Sequence, residues 1–245
     1  MYFSTEDFIN ELDSFYMKND MQGAGECLVR HLGIAQRQNN RGAEMCVLSE
    51  MTGYYRQTGD SDRGLGAVNA LLAIIDIVKG LPDKDTGTYL LNCATTLCSF
   101  NLYDKAYDLF ISAEGLLLNS GCDSALLAGF YNNFALCLKS RSLYDRAGEC
   151  YEKALDLSHG SSLEEAMANI ALAHFLYERD SLDERVCPLI ERAIDLLKTP
   201  QAEKESKYAY TLTKCAPSFE FFGYFLDAKH FTKRAEEIYA DNRRV

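Results

Sequence analysis

The segments Leu102-Tyr103-Asp104-Lys105-Ala106 and Leu143-Tyr144-Asp145-Arg146-Ala147 carry the same pattern 41 residues apart. In each copy an aromatic residue, Phe110 or Tyr151, follows the alanine after four positions, and a second alanine follows it after seven. Spacings of four and seven residues place side chains on one face of an α-helix. The two segments therefore predict two equivalent helices in consecutive repeats.

A small or apolar residue recurs at the position of this alanine along the whole chain, every 39 to 42 residues. These six anchor residues are Ala24, Gly64, Ala106, Ala147, Val186 and Ala228. Small residues allow two helices to approach to about 8 Å, and a second apolar helical pattern precedes the anchors. We therefore predict an all-α fold, a right-handed superhelical solenoid of six antiparallel helical hairpins.

The hairpins are predicted to form a single domain over residues 1–245. Their approximate bounds are 4–39, 41–80, 85–119, 122–158, 161–198 and 200–241. The residue five positions before each anchor is expected to be the N-cap of the second helix, since all six residue types are acceptable there. These six residues are Asn19, Gly59, Asn101, Ser142, Ser181 and Gly223. Ser4 and Ser161 are the predicted N-caps of two first helices, and Thr199 before Pro200 predicts the start of another.

The fifth and sixth repeats depart from the pattern. Pro188 lies inside the predicted second helix of the fifth repeat, so we expect that helix to start late or to kink. Pro217 predicts a kink or a split near Thr213 in the first helix of the sixth repeat. The fifth repeat also has about three extra residues before Val186, which we interpret as a first helix longer by one turn.

The stretch from Glu50 to Asp60 resembles the first-helix signature of the tetratricopeptide repeat (TPR) family, and the stretch from Tyr144 to Leu155 resembles its second helix. The resemblance covers the whole chain. Because the usual TPR unit has 34 residues, the longer period is closer to the repeats of kinesin light chains and of bacterial peptide-sensor domains. The resemblance implies a helical scaffold that binds protein or peptide segments.

Charge and hydropathy argue against several classes of function. The chain has 36 acidic and 25 basic residues and a net charge of −11, which opposes binding to nucleic acid. The apolar run from Leu71 to Val78 contains Asp76 and is far shorter than the ~20 residues of a membrane span. The first residues lack the order of a signal peptide. We expect a cytoplasmic protein that binds neither nucleic acid nor a membrane.

Candidate catalytic and metal-binding groups are scattered over the repeats. The chain has nine cysteines but no C-x-x-C pair, so we interpret them as reduced, mostly buried thiols. Cys93 and Cys215 occupy equivalent core positions. The four histidines, His31, His159, His174 and His230, fall in different repeats, and we expect no metal site, no cofactor and no enzymatic activity.

An asparagine recurs in the predicted first helices, fourteen residues before the anchor. The slot holds Asn10, Asn92 and Asn133, and Asn169 enters it once the fifth repeat is corrected for an extra helical turn. First helices line the inner surface of such a solenoid, and an amide offers both a donor and an acceptor to an extended peptide. In TPR proteins of this kind the asparagine of this slot binds peptide backbone. We predict an Asn ladder that holds an extended peptide in a concave groove.

Two cations flank this ladder in the prediction. Arg56 and Lys139 lie on first helices, where either can pair with a carboxylate of the peptide. The alternatives remain that the asparagines bond to one another along the ladder, and that the two cations are ordinary surface charges.

The C-terminal segment from Phe219 to Phe225 contains five aromatic residues. The last hairpin of a solenoid has no following repeat to cover it, and exposed apolar patches often mark contacts. We therefore keep an alternative function, a structural or oligomerisation protein that forms a homodimer through Phe221, Phe225 and Phe231.

Overall fold

The computed structural model describes residues 2–244, and the regular structure of that range is helical. The α-helices are α1 Thr5–Met17, α2 Met21–Arg37, α3 Arg41–Thr58, α4 Ser61–Ile77, α5 Asp83–Ser99, α6 Tyr103–Asn119, α7 Ser124–Ser140, α8 Tyr144–Ser158, α9 Ser162–Arg179, α10 Val186–Leu197, α11 Tyr208–Phe221 and α12 Phe225–Asn242. Consecutive helices form packed pairs. The predicted all-α fold of six helical hairpins is confirmed.

The helices group into two compact units. The first unit contains residues 2–122 and 136–143, and the second contains residues 123–135 and 144–244. Within the first unit α3 packs on α5 as well as on α4, and within the second α9 packs on α11 as well as on α10. In these two cases the first helices of neighbouring pairs contact each other. Among residues 2–244, no helix is both long and apolar enough to cross a bilayer.

The anchor residues are buried at the helix contacts. Ala24, Ala106 and Ala147 have no exposed surface. At Gly64 a Cβ atom would lie 2.6 Å from the ring of Phe100 and 3.3 Å from the Cβ of Tyr55. The close approach explains why small side chains recur at this position.

The residues before the second helices are turn residues and not N-caps. Asn19, Gly59, Asn101, Ser142 and Gly223 all have the left-handed backbone conformation, with φ between 53° and 87°. The N-cap is the next residue in two pairs, where a carboxylate accepts a hydrogen bond from the first turn. Asp20 accepts from the N–H of Gly23, at 2.9 Å, and Asp60 from that of Arg63, at 3.1 Å. The expected N-cap role was therefore wrong by one residue at these five positions. It was wrong by four residues at Ser181, because the N-cap of α10 is Arg185. Ser4 and Ser161 are N-caps as predicted.

The fifth helix pair shows the predicted effect of Pro188. Helix α10 begins at the anchor Val186 itself, whereas α6 begins at Tyr103, ahead of its anchor. Pro188 then lies in the first turn, where backbone N–H groups have no partner within the helix. The expected extra turn was wrong, because α9 has 18 residues, as α3 has. The additional residues form the loop 180–185 instead.

The sixth pair differs from prediction at both of its prolines. Helix α11 runs from Tyr208 through Pro217 to Phe221 without the expected split. The helix predicted to start at Pro200 is absent there, and a 3-10 turn, Ala202–Lys204, takes its place. Thr199 caps this turn, because its hydroxyl accepts a hydrogen bond from the N–H of Ala202 at 3.2 Å.

Candidate functional site

Asn92 and Asn133 occupy equivalent positions of their helices. Each is the tenth residue of a 17-residue first helix, α5 or α7, and each is half-buried. The Nδ2 of Asn92 donates a hydrogen bond of 2.8 Å to the Oγ of Ser49 on α3, and the Nδ2 of Asn133 donates one of 2.9 Å to the carbonyl of Gly129. Within the described chain the Oδ1 of neither residue accepts a hydrogen bond. Both amides therefore keep an acceptor for a ligand.

A polar seam joins the first helices α3 and α5. Besides the bond between Asn92 and Ser49, the hydroxyl of Thr96 donates to the carbonyl of Thr52 at 3.3 Å, and both threonines are fully buried. Hydrogen bonds between buried groups contribute about 0.5–1.5 kcal/mol each. Asn92 thus has a structural partner as well as an unused acceptor, so its two roles need separate tests.

Asn10 and Asn169 differ from these two residues. Asn10 lies exposed on α1. Asn169 is 3% exposed, and its Nδ2 donates to the carbonyl of Glu165 at 2.7 Å. Since α9 has no extra turn, the tenth position of that helix belongs to Ala171. The extra-turn argument that assigned Asn169 to the ladder therefore fails, and this side chain has different surroundings.

Asn169 lines a cavity of about 470 Å³ in the second unit, next to the late start of α10. The lining residues are Glu152, Leu155, Asn169, Leu172, Glu184, Arg185, Pro188, Leu189 and Arg192. Arg185 pairs with Glu152 at 3.3 Å, and Arg192 pairs with Glu165 at 2.8 Å. The cavity combines an apolar wall with charged groups of both signs, which is typical of a site for a side chain with a polar end.

The two predicted cations lie on first helices of the first unit. Arg56 is exposed near the end of α3, and Lys139 is half-buried near the end of α7. Both side chains carry positive charge at neutral pH. Each of them also interacts with another group of the chain, so pairing with an acidic group of a ligand stays a prediction from the sequence.

Burial makes the thiols of the two cysteines that were predicted to serve in packing unreactive. Cys93 and Cys215 are buried, and desolvation raises the pKa of each thiol to about 12. Thiols with such pKa values stay protonated at neutral pH and are poor nucleophiles. Their predicted structural role is consistent with this protonation state.

One cluster of polar residues escaped the sequence analysis. Glu11 on α1 and Cys27 and His31 on α2 place one potential ligand atom each within 4.8 Å of one another. The sequence signal was the four-residue spacing between Cys27 and His31, which puts both on one face of a helix. The expectation of no metal site rested on the four histidines falling in different repeats, and it overlooked this spacing.

The C-terminal aromatic residues divide into a buried and an exposed group. Phe231 is fully buried, and its ring packs on Phe219 with the centroids 5.4 Å apart. It offers no surface to a partner, contrary to its predicted place in a dimer contact. Phe221 and Phe225 are 58% and 63% exposed, and the neighbouring Leu226 is 85% exposed.

Comparisons with known proteins give similarity at the level of structure. No protein-family profile matches this chain, and no curated protein matches it. The crystal structure of BtubC (BKLC) from P. vanneervenii is similar, with a TM-score of 0.59 and 18% sequence identity, over 92% of this chain and 91% of that one. A putative kinesin light chain from Podosopora anserina, described as having nearly identical TPR-like repeats, has a TM-score of 0.53 and 15% identity, over 81% of this chain and 96% of that one.

Identities this low establish the fold and leave the activity open. The resemblance to TPR repeats that the sequence predicted is confirmed at the level of structure: the chain has a TPR-like repeat fold.

Proposed function

We propose that this chain is a non-catalytic protein-interaction scaffold that binds an extended peptide segment through the backbone of that segment. The observation that carries the proposal is the shared geometry of Asn92 and Asn133. Both amides use an Nδ2 hydrogen within the protein and keep an Oδ1 acceptor without a partner among residues 2–244. The internal bond fixes the orientation of each amide before a ligand arrives, which lowers the entropic cost of binding.

An extended peptide matches this chemistry. Its backbone presents alternating N–H and C=O groups that no secondary structure satisfies. The Oδ1 of an asparagine accepts from such an N–H, and the second Nδ2 hydrogen donates to a C=O. Because these contacts involve only the backbone, they hold segments of different sequence. TPR-like repeats in other proteins present the same kind of helical surface.

In this proposal the remaining site residues determine which peptide segments the scaffold prefers. Asn10 extends the series of amides on the first unit, and Arg56 and Lys139 attract an acidic group of the peptide. In the second unit Asn169 lines the cavity beside α10, which has room for a peptide side chain with an apolar body and a polar end. The partner is thus a peptide or protein segment, and the binding needs no cofactor.

A peptide-library titration tests the backbone contacts. The Asn92→Ala, Asn133→Ala double variant removes two hydrogen bonds of about 0.5–1.5 kcal/mol each, so peptides selected by the wild type should bind about tenfold more weakly. Ser49→Ala is the matched comparison, because it removes the internal partner of Asn92 and leaves both amides in place. It should weaken binding by less than the double variant, since only the orientation of one amide is lost. A double variant that folds, by its circular dichroism, and retains every ligand at full affinity would refute the proposal.

The thiols agree with the cytoplasmic location that we propose. No cysteine within residues 2–244 forms a disulfide bond, and four of the nine are intermediate or exposed. Free thiols persist in compartments that keep proteins reduced. Fractionation of cells that express the tagged chain tests this location directly.

A second candidate function is self-association through the last hairpin. The exposed side chains of Phe221, Phe225 and Leu226 favour it, since they place three large apolar groups within six residues. Such exposure is typical of an interaction surface. Sedimentation of the purified chain distinguishes this candidate from a monomeric scaffold.

A further inference from the structure

The contact between α1 and α2 contains a set of side chains that the peptide scaffold does not use. Glu11 lies on α1, and Cys27 and His31 lie one turn apart on α2. A carboxylate oxygen, the thiol sulfur and a ring nitrogen all lie within 4.8 Å of one another. These three atom types are the ones that bind zinc in proteins.

The surroundings of His31 leave part of its ring unsatisfied. The side chain is buried against the rings of Phe3 and Phe8, whose centroids lie 5.9 and 5.0 Å from that of His31. Its Nε2 lies 2.9 Å from the Oε2 of Glu11, to which it donates a hydrogen bond. The Nδ1 is buried and has no hydrogen-bond partner among residues 2–244. A buried polar atom without a partner costs about 1–3 kcal/mol, whereas Nε2, which faces Glu11, is the ring nitrogen that can share an ion with that carboxylate.

A positively charged group already occupies this environment. The Nη2 of Arg30 bonds to the Oε1 of Glu11, and the guanidinium also lies next to the Cys27 thiol. The Arg30 side chain is 52% exposed, so it can turn out into solvent. The cluster thus favours a cation, and the cation present is one that can be displaced.

The Cys27 thiol is buried but borders a surface cavity. A surface cavity of about 390 Å³ is lined by Cys27 and Arg30 together with Phe15, Asp20, Gln22, Gly23 and Glu26. Asp20 and Glu26 add negative charge at this entrance. A small hydrated cation is therefore attracted to the opening that leads to Cys27.

We propose that Glu11, Cys27 and His31 bind a divalent transition-metal ion, with Zn²⁺ as the preferred ion. The Cys27 thiol loses its proton to solvent and binds as a thiolate, the ring proton of His31 moves from Nε2 to Nδ1 so that Nε2 can bind the ion, and Arg30 moves away from Glu11. Ligand bonds of roughly 2.0–2.3 Å in a tetrahedral site put the ligand atoms about 3.5 Å apart. Small side-chain rotations bring the three atoms to that distance. Water fills the remaining position, and the ion fastens α1 to α2.

Cobalt titration of the metal-free full-length chain tests the site. Co²⁺ bound to a thiolate gives a charge-transfer band in the near ultraviolet, and we expect this band to saturate at one ion per chain and to disappear when Zn²⁺ is added. Cys27→Ser and His31→Gln should each weaken binding at least tenfold. Cys187→Ser is the control, because this exposed thiol lies far along the chain from the cluster and its loss should leave the band unchanged.

Arg30→Gln separates a metal site from a purely structural ion pair. In the metal site Arg30 is a competitor, so its removal should leave the affinity for Co²⁺ unchanged or higher. Glu11→Gln should weaken binding, and because Glu11 is partly exposed this variant serves if a buried-ligand variant fails to fold by circular dichroism. The proposal is overturned if no thiolate band forms at one equivalent of Co²⁺, or if the band persists in both Cys27→Ser and His31→Gln.

Discussion

Gly64, the anchor residue of α4, has no room for a side chain. A Cβ there would lie 2.6 Å from the Phe100 ring and 3.3 Å from the Cβ of Tyr55. Overpacking of this kind costs about 1–3 kcal/mol, which exceeds the gain of about 1 kcal/mol in helix propensity. We predict that Gly64→Ala lowers the free energy of unfolding by about 1–2 kcal/mol in urea titrations.

Gly66 on the same helix provides the matched control. A Cβ added at Gly66 meets no atom within 4 Å, so only the propensity gain remains. Gly66→Ala should raise the free energy of unfolding by about 0.5–1 kcal/mol. Equal effects of the two substitutions would contradict the packing that the structure shows at Gly64.

The turn residues show that residue type alone does not determine backbone conformation at a helix boundary. Asn, Gly and Ser were correctly predicted to mark the boundary between the two helices of a pair, but the same residues suit both an N-cap and a left-handed turn position. The backbone angle decides between the roles, and Asn101 and Ser142 have φ of 62° and 61°. Sequence spacing therefore located the boundary to within one residue in five of the six pairs, all except the pair with Ser181, and assigned the wrong conformation to it.

At the scale of the element, the two prolines of the last helices occupy unequal positions. Pro217 lies within α11, where it removes the hydrogen bond to the carbonyl of Thr213 and crowds the preceding turn. Pro188 lies in the first turn of α10, where no such bond exists. We predict that Pro217→Ala raises the free energy of unfolding by about 1–3 kcal/mol and that Pro188→Ala changes it by less than about 0.5 kcal/mol.

Chemical denaturation of the two variants, followed by circular dichroism at the helical minimum, measures both effects. Each proline serves as the control for the other, since the change in unfolded-chain entropy is the same for both. A lower free energy of unfolding in Pro217→Ala would contradict the prediction. It would mean that the backbone of α11 has a local geometry that suits proline better than alanine.

The positions of the candidate site residues could be predicted from the sequence where the first helices have the same length. Asn92 and Asn133 share a register in α5 and α7, so a constant spacing to the anchor finds both. Spacing alone cannot tell a longer helix from a longer loop, and the extra residues near Asn169 lie in the loop 180–185. The cluster of Glu11, Cys27 and His31 contains residues of two helices. A search for spacings within one helix therefore could not find Glu11.

At the scale of the whole molecule, net charge and exposed apolar surface have opposite effects on self-association. The net charge of −11 makes two copies repel each other. The exposed Phe225 and Leu226 favour contact with another apolar surface. Salt screens the repulsion, because the Debye length falls from ~10 Å at 0.1 M to ~3 Å at 1 M, whereas it strengthens or leaves unchanged the burial of apolar groups.

If the last hairpin mediates self-association, the dimer should therefore become stronger as salt increases, whereas a contact made of ion pairs would weaken. We predict that the dissociation constant measured by analytical ultracentrifugation falls with added salt and that a Phe225→Glu, Leu226→Glu double variant is monomeric under all conditions. Leu182→Glu is the control, because Leu182 is equally exposed at 85% but lies in the loop before α10. Each new glutamate also adds negative charge, which by itself weakens self-association. If the double variant is monomeric and Leu182→Glu is not, the contact is therefore assigned to the last hairpin. A wild-type chain that stays monomeric at high salt and high micromolar concentration excludes the dimer and leaves the peptide scaffold as the remaining candidate.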